Sequence, residues 1–173
     1  MGGIVSKKSQ PTSSATTDKN NKRDNSALIR ASESGQTFLL KSLLESDDDA
    51  NINSKDKYGR SLLILACEQG HEDTVQMLIS RRADLNIRSL RDGATALIRN
   101  ASLGNATINN GLIQASAELN VQDKEGKTAL MCAVEFNHVQ IALALMKAVG
   151  DNVGCGAFFT YFINTSSCNF YIC

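Results

Sequence analysis

An all-α solenoid of stacked helix-turn-helix units, with short β-hairpin-like turns between them, is the fold class this chain predicts, on three observations. The stretch Asp56–Asn86 writes two short amphipathic helices: Leu62, Leu63, Leu65 and Ala66 form one apolar face, and Val75, Leu78 and Ile79 recur at i, i+3 and i+4. Neither helix is long enough to be stable alone in water, so the unit needs copies of itself. Copies occur at a fixed period. Gly93 lies 34 residues after Gly59 and Gly126 lies 33 after Gly93, while Leu63, Leu97 and Leu130 hold one place in three units.

The chain opens on a leader, residues 1–23, rich in Ser, Thr, Lys and Asn, with the only Pro and little to bury; it reads as disordered. Met1-Gly2-Gly3-Ile4-Val5-Ser6 fits the pattern for N-myristoylation of Gly2. One myristoyl chain binds a bilayer only marginally, and Lys7 and Lys8, with Lys19, Lys22 and Arg23, supply a second, electrostatic attraction to anionic lipid. The bland alternative is that these lysines keep a tail soluble. The repeat domain is expected over 24–153, in units of about 24–53, 54–87, 88–121 and 122–153. The first unit is degraded: Leu28, Ala31, Gly35, Leu40, Leu43 and Leu44 match, but the opening Gly is absent, as suits a terminal cap. The acidic run Glu45–Asp49 closes it and reads as a solvated loop.

In the second unit Gly70 ends the first helix through a positive φ and His71 follows at the corner. The third unit is the weak one. Asn100 stands where its neighbours have Ala66 and Ala133, Asn109 replaces Val75, and Gly111 replaces Met77. An unpartnered buried amide costs on the order of 1–3 kcal/mol and a helical Gly roughly 1 more, so local looseness or a re-registered outer helix is expected. An extra residue between Asn86 and Gly93 marks the junction as irregular. The fourth unit returns to pattern with Thr128, Leu130, Ala133, His138, Ile141 and Leu145, and Asn137 takes the left-handed position of Gly70.

After Asp151 no charge remains, and the last residues, 154–173, hold six of the nine aromatics with Cys155, Cys168 and Cys173. Polar interruptions leave the segment short of the roughly 18 apolar residues of a membrane span. Three readings stay open: packing over the open end of the stack, lipid contact, and a terminus without settled structure.

Ala83-Asp84-Leu85-Asn86 returns as Ala117-Glu118-Leu119-Asn120, and with the recurring Gly, Leu, paired Ala and Gly-His the chain resembles the ankyrin-repeat family. That family's Thr-Pro-Leu-His tetrad appears as Ser61-Leu62-Leu63-Ile64, Thr95-Ala96-Leu97-Ile98 and Thr128-Ala129-Leu130-Met131, without its Pro or His. Ser61, Thr95 and Thr128 remain N-caps by residue type. The resemblance implies a concave protein-binding surface built from hairpin tips and the exposed side of each first helix. It maps here to Tyr58, Arg60, Glu68 and Gln69, to Arg91 and Leu103, and to Lys124, Lys127 and Phe136. Tyr58, Arg60, Arg91 and Phe136 are the anchors expected from residue type. Phe136 has the alternative of packing on its own unit or on the aromatic tail.

Composition bounds the function. Eighteen basic and eighteen acidic residues cancel, which argues against a nucleic-acid partner. Five Cys without paired spacing read as cytosolic thiols, and no secretory signal precedes Lys7. His71 and His138 occupy equivalent corners, and Cys67 and Cys132 lie on apolar helix faces, so neither pair suggests catalysis; no cofactor or metal pattern is present. The sequons at Asn100, Asn105 and Asn164 carry no weight without a secretory signal. The expectation is a non-enzymatic adaptor in the cytoplasm, tethered to a cytoplasmic membrane face through Gly2. The alternative is a soluble inhibitor or assembly subunit without lipid.

Overall fold

Residues 17–46 and 50–150 are described by the computed structural model, with side chains from residue 25 onward. The candidate acylation site Gly2, the cations Lys7 and Lys8, most of the acidic run and the tail 154–173 lie outside those residues. Eight helices follow in order: α1 (Thr17–Glu33), α2 (Thr37–Ser46), α3 (Leu62–Gln69), α4 (Glu72–Ser80), α5 (Ala96–Leu103), α6 (Ala106–Gln114), α7 (Ala129–Glu135) and α8 (Val139–Gly150). The odd helices pack side by side as one rank and the even helices as a second.

That arrangement follows from the apolar stripes. Leu63 and Leu97 are 1% exposed, and Leu130 is partly buried against the same core. Leu62, Ile64, Leu78, Leu112, Ile141 and Leu145 are buried among them. Burying a leucine or isoleucine contributes about 1.5–3 kcal/mol, and for helices of seven to nine residues such as α3, α5, α6 and α7 only a neighbouring unit can supply the burial.

Local signals end the helices where residue type dictates. Ser61, Thr95 and Thr128 cap α3, α5 and α7, their hydroxyls accepting from the amides of Ile64, Ile98 and Met131. Gly70 closes α3 at φ +72°, and Asn137 takes the corresponding left-handed turn at φ +59°. The corner histidines then tie units together. Nε2–H of His71 donates to the Glu33 carbonyl at 3.0 Å, and Nε2–H of His138 to that of Ser102 at 3.1 Å. In the third unit Asn105 stands at this corner, caps α6 through Ile108 N and donates to Glu72 of the preceding unit.

Two features differ from expectation. The first helix begins at Thr17 rather than at the expected boundary of 24, so the end of the leader is helical. Thr17–Asp24 contains neither Pro nor Gly, and a helix anchored by buried Leu28 and Ala31 adds turns at little cost. The third unit keeps its helix register: Ile108 and Leu112 point inward on α6, and the extra residue is taken up before α5. Its buried amides are real. Asn100 donates Nδ2 to the Asn105 carbonyl at 2.7 Å, but its Oδ1 and both amide atoms of Asn109 have no partner among the described residues.

Candidate protein-binding surface

The second, third and fourth units each project a hairpin turn beyond the inner helices, and an aspartate shapes it. Oδ1 of Asp56 accepts from the amides of Tyr58 and Arg60, both at 2.8 Å, while Asp56 N donates to the Arg60 carbonyl at 2.9 Å. Asp123 repeats the pattern with Glu125 and Lys127. The middle turn is one residue longer and shares the aspartate's role between two side chains. Ser89 Oγ accepts from Arg91 N, and Asp92 Oδ1 accepts from Ala94 N. Ser89 N still closes the hairpin on the Ala94 carbonyl at 3.0 Å. No strand forms among the described residues; a single bridge, Lys55 to Ser61, is the extent of pairing.

Neighbouring turns are stitched together. Leu90 N donates to the Tyr58 carbonyl at 2.9 Å and Lys124 N to the Asp92 carbonyl at 2.8 Å. The contact is close enough to require Gly59, whose β-carbon, if present, would lie 2.4 Å from Leu90 Cγ and 2.8 Å from its backbone N.

Behind the tips runs a chain of ion pairs. Arg60 bonds Asp56 at its own turn at 2.8 Å, Glu68 on α3 at 2.6 Å and, at 3.4 Å, Glu33 on α1. Glu68 then faces Arg99 Nε at 3.0 Å, without the alignment of a hydrogen bond, and Arg99 pairs with Asp92. The third unit has Ala94 at the turn position of Arg60, and Arg99 reaches back from α5 to take its place. Burial alone would raise the Asp92 carboxyl, but the Ala94 amide and Arg99 outweigh it and hold the carboxyl below its usual range. Burial likewise opposes the Arg60 charge, and its bonds to Asp56 and Glu68 overcome it, so the guanidinium is held above its ordinary value. Lys127 closes the fourth unit on Glu135 at 2.8 Å and Glu125 at 3.3 Å, and these bonds raise its ammonium above the usual lysine range.

The sequence-predicted residues therefore fall into three groups. Arg60, Glu68 and Lys127 are engaged in ion pairs within the protein. Tyr58, Arg91 and Lys124 stand exposed at the tips. Lys57 Nζ lies 4.8 Å and Arg60 Cζ 5.4 Å from the Tyr58 ring centroid, and Lys124 Nζ donates to the carbonyls of Leu90 and Arg91. Gln69, Leu103 and Phe136 are exposed at equivalent ends of α3, α5 and α7, with Leu103 52% and Phe136 53% accessible. Phe136 does pack on its own unit, stacking on His138 at 6.4 Å between centroids, yet half of it faces solvent.

Sequence reasoning missed Leu90, which at 69% exposure is the most accessible large apolar side chain on the hairpin row. The extra residue before Gly93 was the available signal, because a longer turn pushes its middle outward. It also missed Phe38, 84% exposed on α2. Cys67 and Cys132 are buried in the core, and burial raises both thiols, Cys67 most strongly.

Paired short helices stacked in two ranks, with hairpins projecting from one edge, define a helical-repeat solenoid. The chain belongs to the ankyrin-repeat family: the family model described as ankyrin repeats (3 copies) matches residues 7–89 and 83–155. The ankyrin repeat is a non-enzymatic protein-interaction module. The chain is 37% identical over 122 residues to neurogenic locus notch homolog protein 1 of Xenopus laevis and 36% identical over 122 residues to that of Homo sapiens. It is 34% identical over 122 residues to notch homolog protein 2 of Homo sapiens. Each match covers 70% of this chain and 5% of the relative, so the likeness concerns a small part of those proteins. Among the described residues no helix is long and apolar enough to cross a membrane.

Proposed function

We propose that this chain is a protein-interaction adaptor whose recognition surface is the hairpin row together with the exposed ends of α3, α5 and α7. The observation that carries this reading is the half-exposed apolar ladder of Leu103 and Phe136, beside Tyr58 and Leu90 at the tips. Apolar side chains left half exposed at equivalent positions of successive units present surface that the stack does not cover, and aromatic residues are common anchors at interfaces. Arg60, Glu68 and Lys127 contribute by holding turns against helices, so the surface is presented rigidly.

The adaptor works on the cytoplasmic face of a membrane, where acylation of Gly2 and attraction through Lys7 and Lys8 would keep it. The Met-Gly-x-x-x-Ser pattern supports this part of the reading. Intact mass of protein from its native cell tests it: an unmodified Gly2 removes the tether and leaves the adaptor. The recognition surface is tested by affinity capture with native protein against Tyr58→Ala, Phe136→Ala and Leu103→Ala versions. Partners retained by native protein and lost by all three support the surface, and an unchanged set overturns it.

A further inference from the structure

Five exposed cations lie on the stretches that form the hairpin edge: Lys55, Lys57, Arg88, Arg91 and Lys124. The acids on the same turns do not balance them. Counted with Arg60 and Lys127, the turns carry seven cations against four acids, Asp56, Asp92, Asp123 and Glu125. A chain with no formal net charge thus carries an excess of positive charge at its turns. Leu90 sits within that edge, its backbone bonded to Tyr58 on one side and its carbonyl accepting from Lys124 on the other.

We infer that the hairpin edge docks an acidic peptide segment of a partner protein, with one apolar side chain of that segment seated on Leu90 and its carboxylates on Lys57, Arg91 and Lys124. The inference rests on the protein-recognition reading above and deepens it. Charge complementarity selects an anionic occupant, and the kind of apolar contact selects among anionic occupants. A single-stranded nucleic acid stacks its bases on open aromatic faces, but the tip's one aromatic ring, Tyr58, already has Lys57 and Arg60 against it. A bilayer surface gains from several inserted apolar groups, whereas the tip offers one largely exposed aliphatic side chain, beside a half-exposed tyrosine. A peptide strand matches what remains. Its carboxylates meet cations from successive units and one side chain covers Leu90.

The test uses the full chain and four probes: a short Asp/Glu-rich peptide with a central Leu, the same peptide with Ser for Leu, vesicles of mixed phosphatidylserine and phosphatidylcholine, and a single-stranded oligonucleotide. The Leu-containing acidic peptide is expected to bind best. Its affinity should fall by about tenfold when its Leu is replaced by Ser, by a similar factor in Leu90→Ser, and further in Lys57→Glu/Arg91→Glu, with added salt weakening each complex. Circular dichroism of the variants should match native protein, since all three positions are exposed. Tighter binding to vesicles or oligonucleotide, or equal binding by the native and Lys57→Glu/Arg91→Glu proteins, overturns the inference. A cellular partner lost in Phe136→Ala yet retained in Lys57→Glu/Arg91→Glu overturns it too and leaves the adaptor reading standing.

Discussion

The imidazole of His138 occupies the space that a β-carbon on Gly104 would need: such an atom would lie 2.5 Å from Cε1 and 2.8 Å from Nδ1. Gly35 and His71 share this relationship two corners earlier, at 2.6 Å. Histidine and glycine from successive units therefore form one joint, in which the missing side chain lets the ring reach the Ser102 carbonyl.

Gly104→Ala should be more destabilising than Gly126→Ala. Both residues have positive φ, +89° and +79°, but a β-carbon at Gly126 would meet nothing within 4 Å. Backbone strain alone accounts for about 1–2 kcal/mol at Gly126, and Gly104 adds displacement of His138. Urea midpoints of the two variants and of Gly104→Ala/His138→Ala would show this, the double variant losing less than the sum. Equal midpoints for the single variants would count against the joint.

Asn109→Val should stabilise the protein. Both amide atoms are buried without partners, and the equivalent residue one unit earlier is Val75, 1% exposed. Removing an unsatisfied buried amide is worth about 1–3 kcal/mol. Gly111→Ala should add roughly 1 kcal/mol through helix propensity, because the nearest atom to its new carbon, at 3.2 Å, is the end of the flexible Gln76 side chain. Thermal denaturation of each variant checks the sign.

Acid should weaken the turn of the third unit. The Asp92 carboxyl is held below its usual range in the folded chain, so its stabilisation is present above the unfolded carboxylate pKa of about 3.9 and is lost as pH falls through the lower folded value. Native protein should exceed Asp92→Asn in urea resistance at neutral pH, with the gap closing below about pH 4. A gap that persists there would assign the effect to shape rather than charge.

Cys67 should resist alkylation until the protein unfolds. Its thiol is raised first by burial and then by the Glu68 charge, and only the thiolate reacts. Peptide mapping after iodoacetamide treatment at neutral pH should find Cys67 unmodified in native protein and modified in urea. Rapid labelling without denaturant would mean that α3 opens locally.

What the sequence disclosed was what neighbouring residues decide. The period, the caps at Ser61, Thr95 and Thr128, and the turns at Gly70 and Asn137 each depend on a few adjacent positions, and the buried amides of the third unit showed by alignment with Val75 and Ala66. The charges were harder. Arg60 and Glu68 have the residue types of an interface, and only the distance between units reveals that Glu33, Arg60, Glu68 and Arg99 face one another as ion pairs. Arg99 taking over from the position of Ala94 could not be foreseen, because its reach crosses from helix to turn. Leu90 hid for a related reason: whether an inserted residue bulges at a tip or shifts a helix is settled by which arrangement preserves the core.

The hairpin from Ser89 to Ala94 keeps its closing bond with a residue more than its neighbours. Length at that apex is therefore decoupled from the scaffold beneath it. A grafted loop inserted between Leu90 and Asp92 would alter what the protein recognises while the helices on either side go on stacking as before.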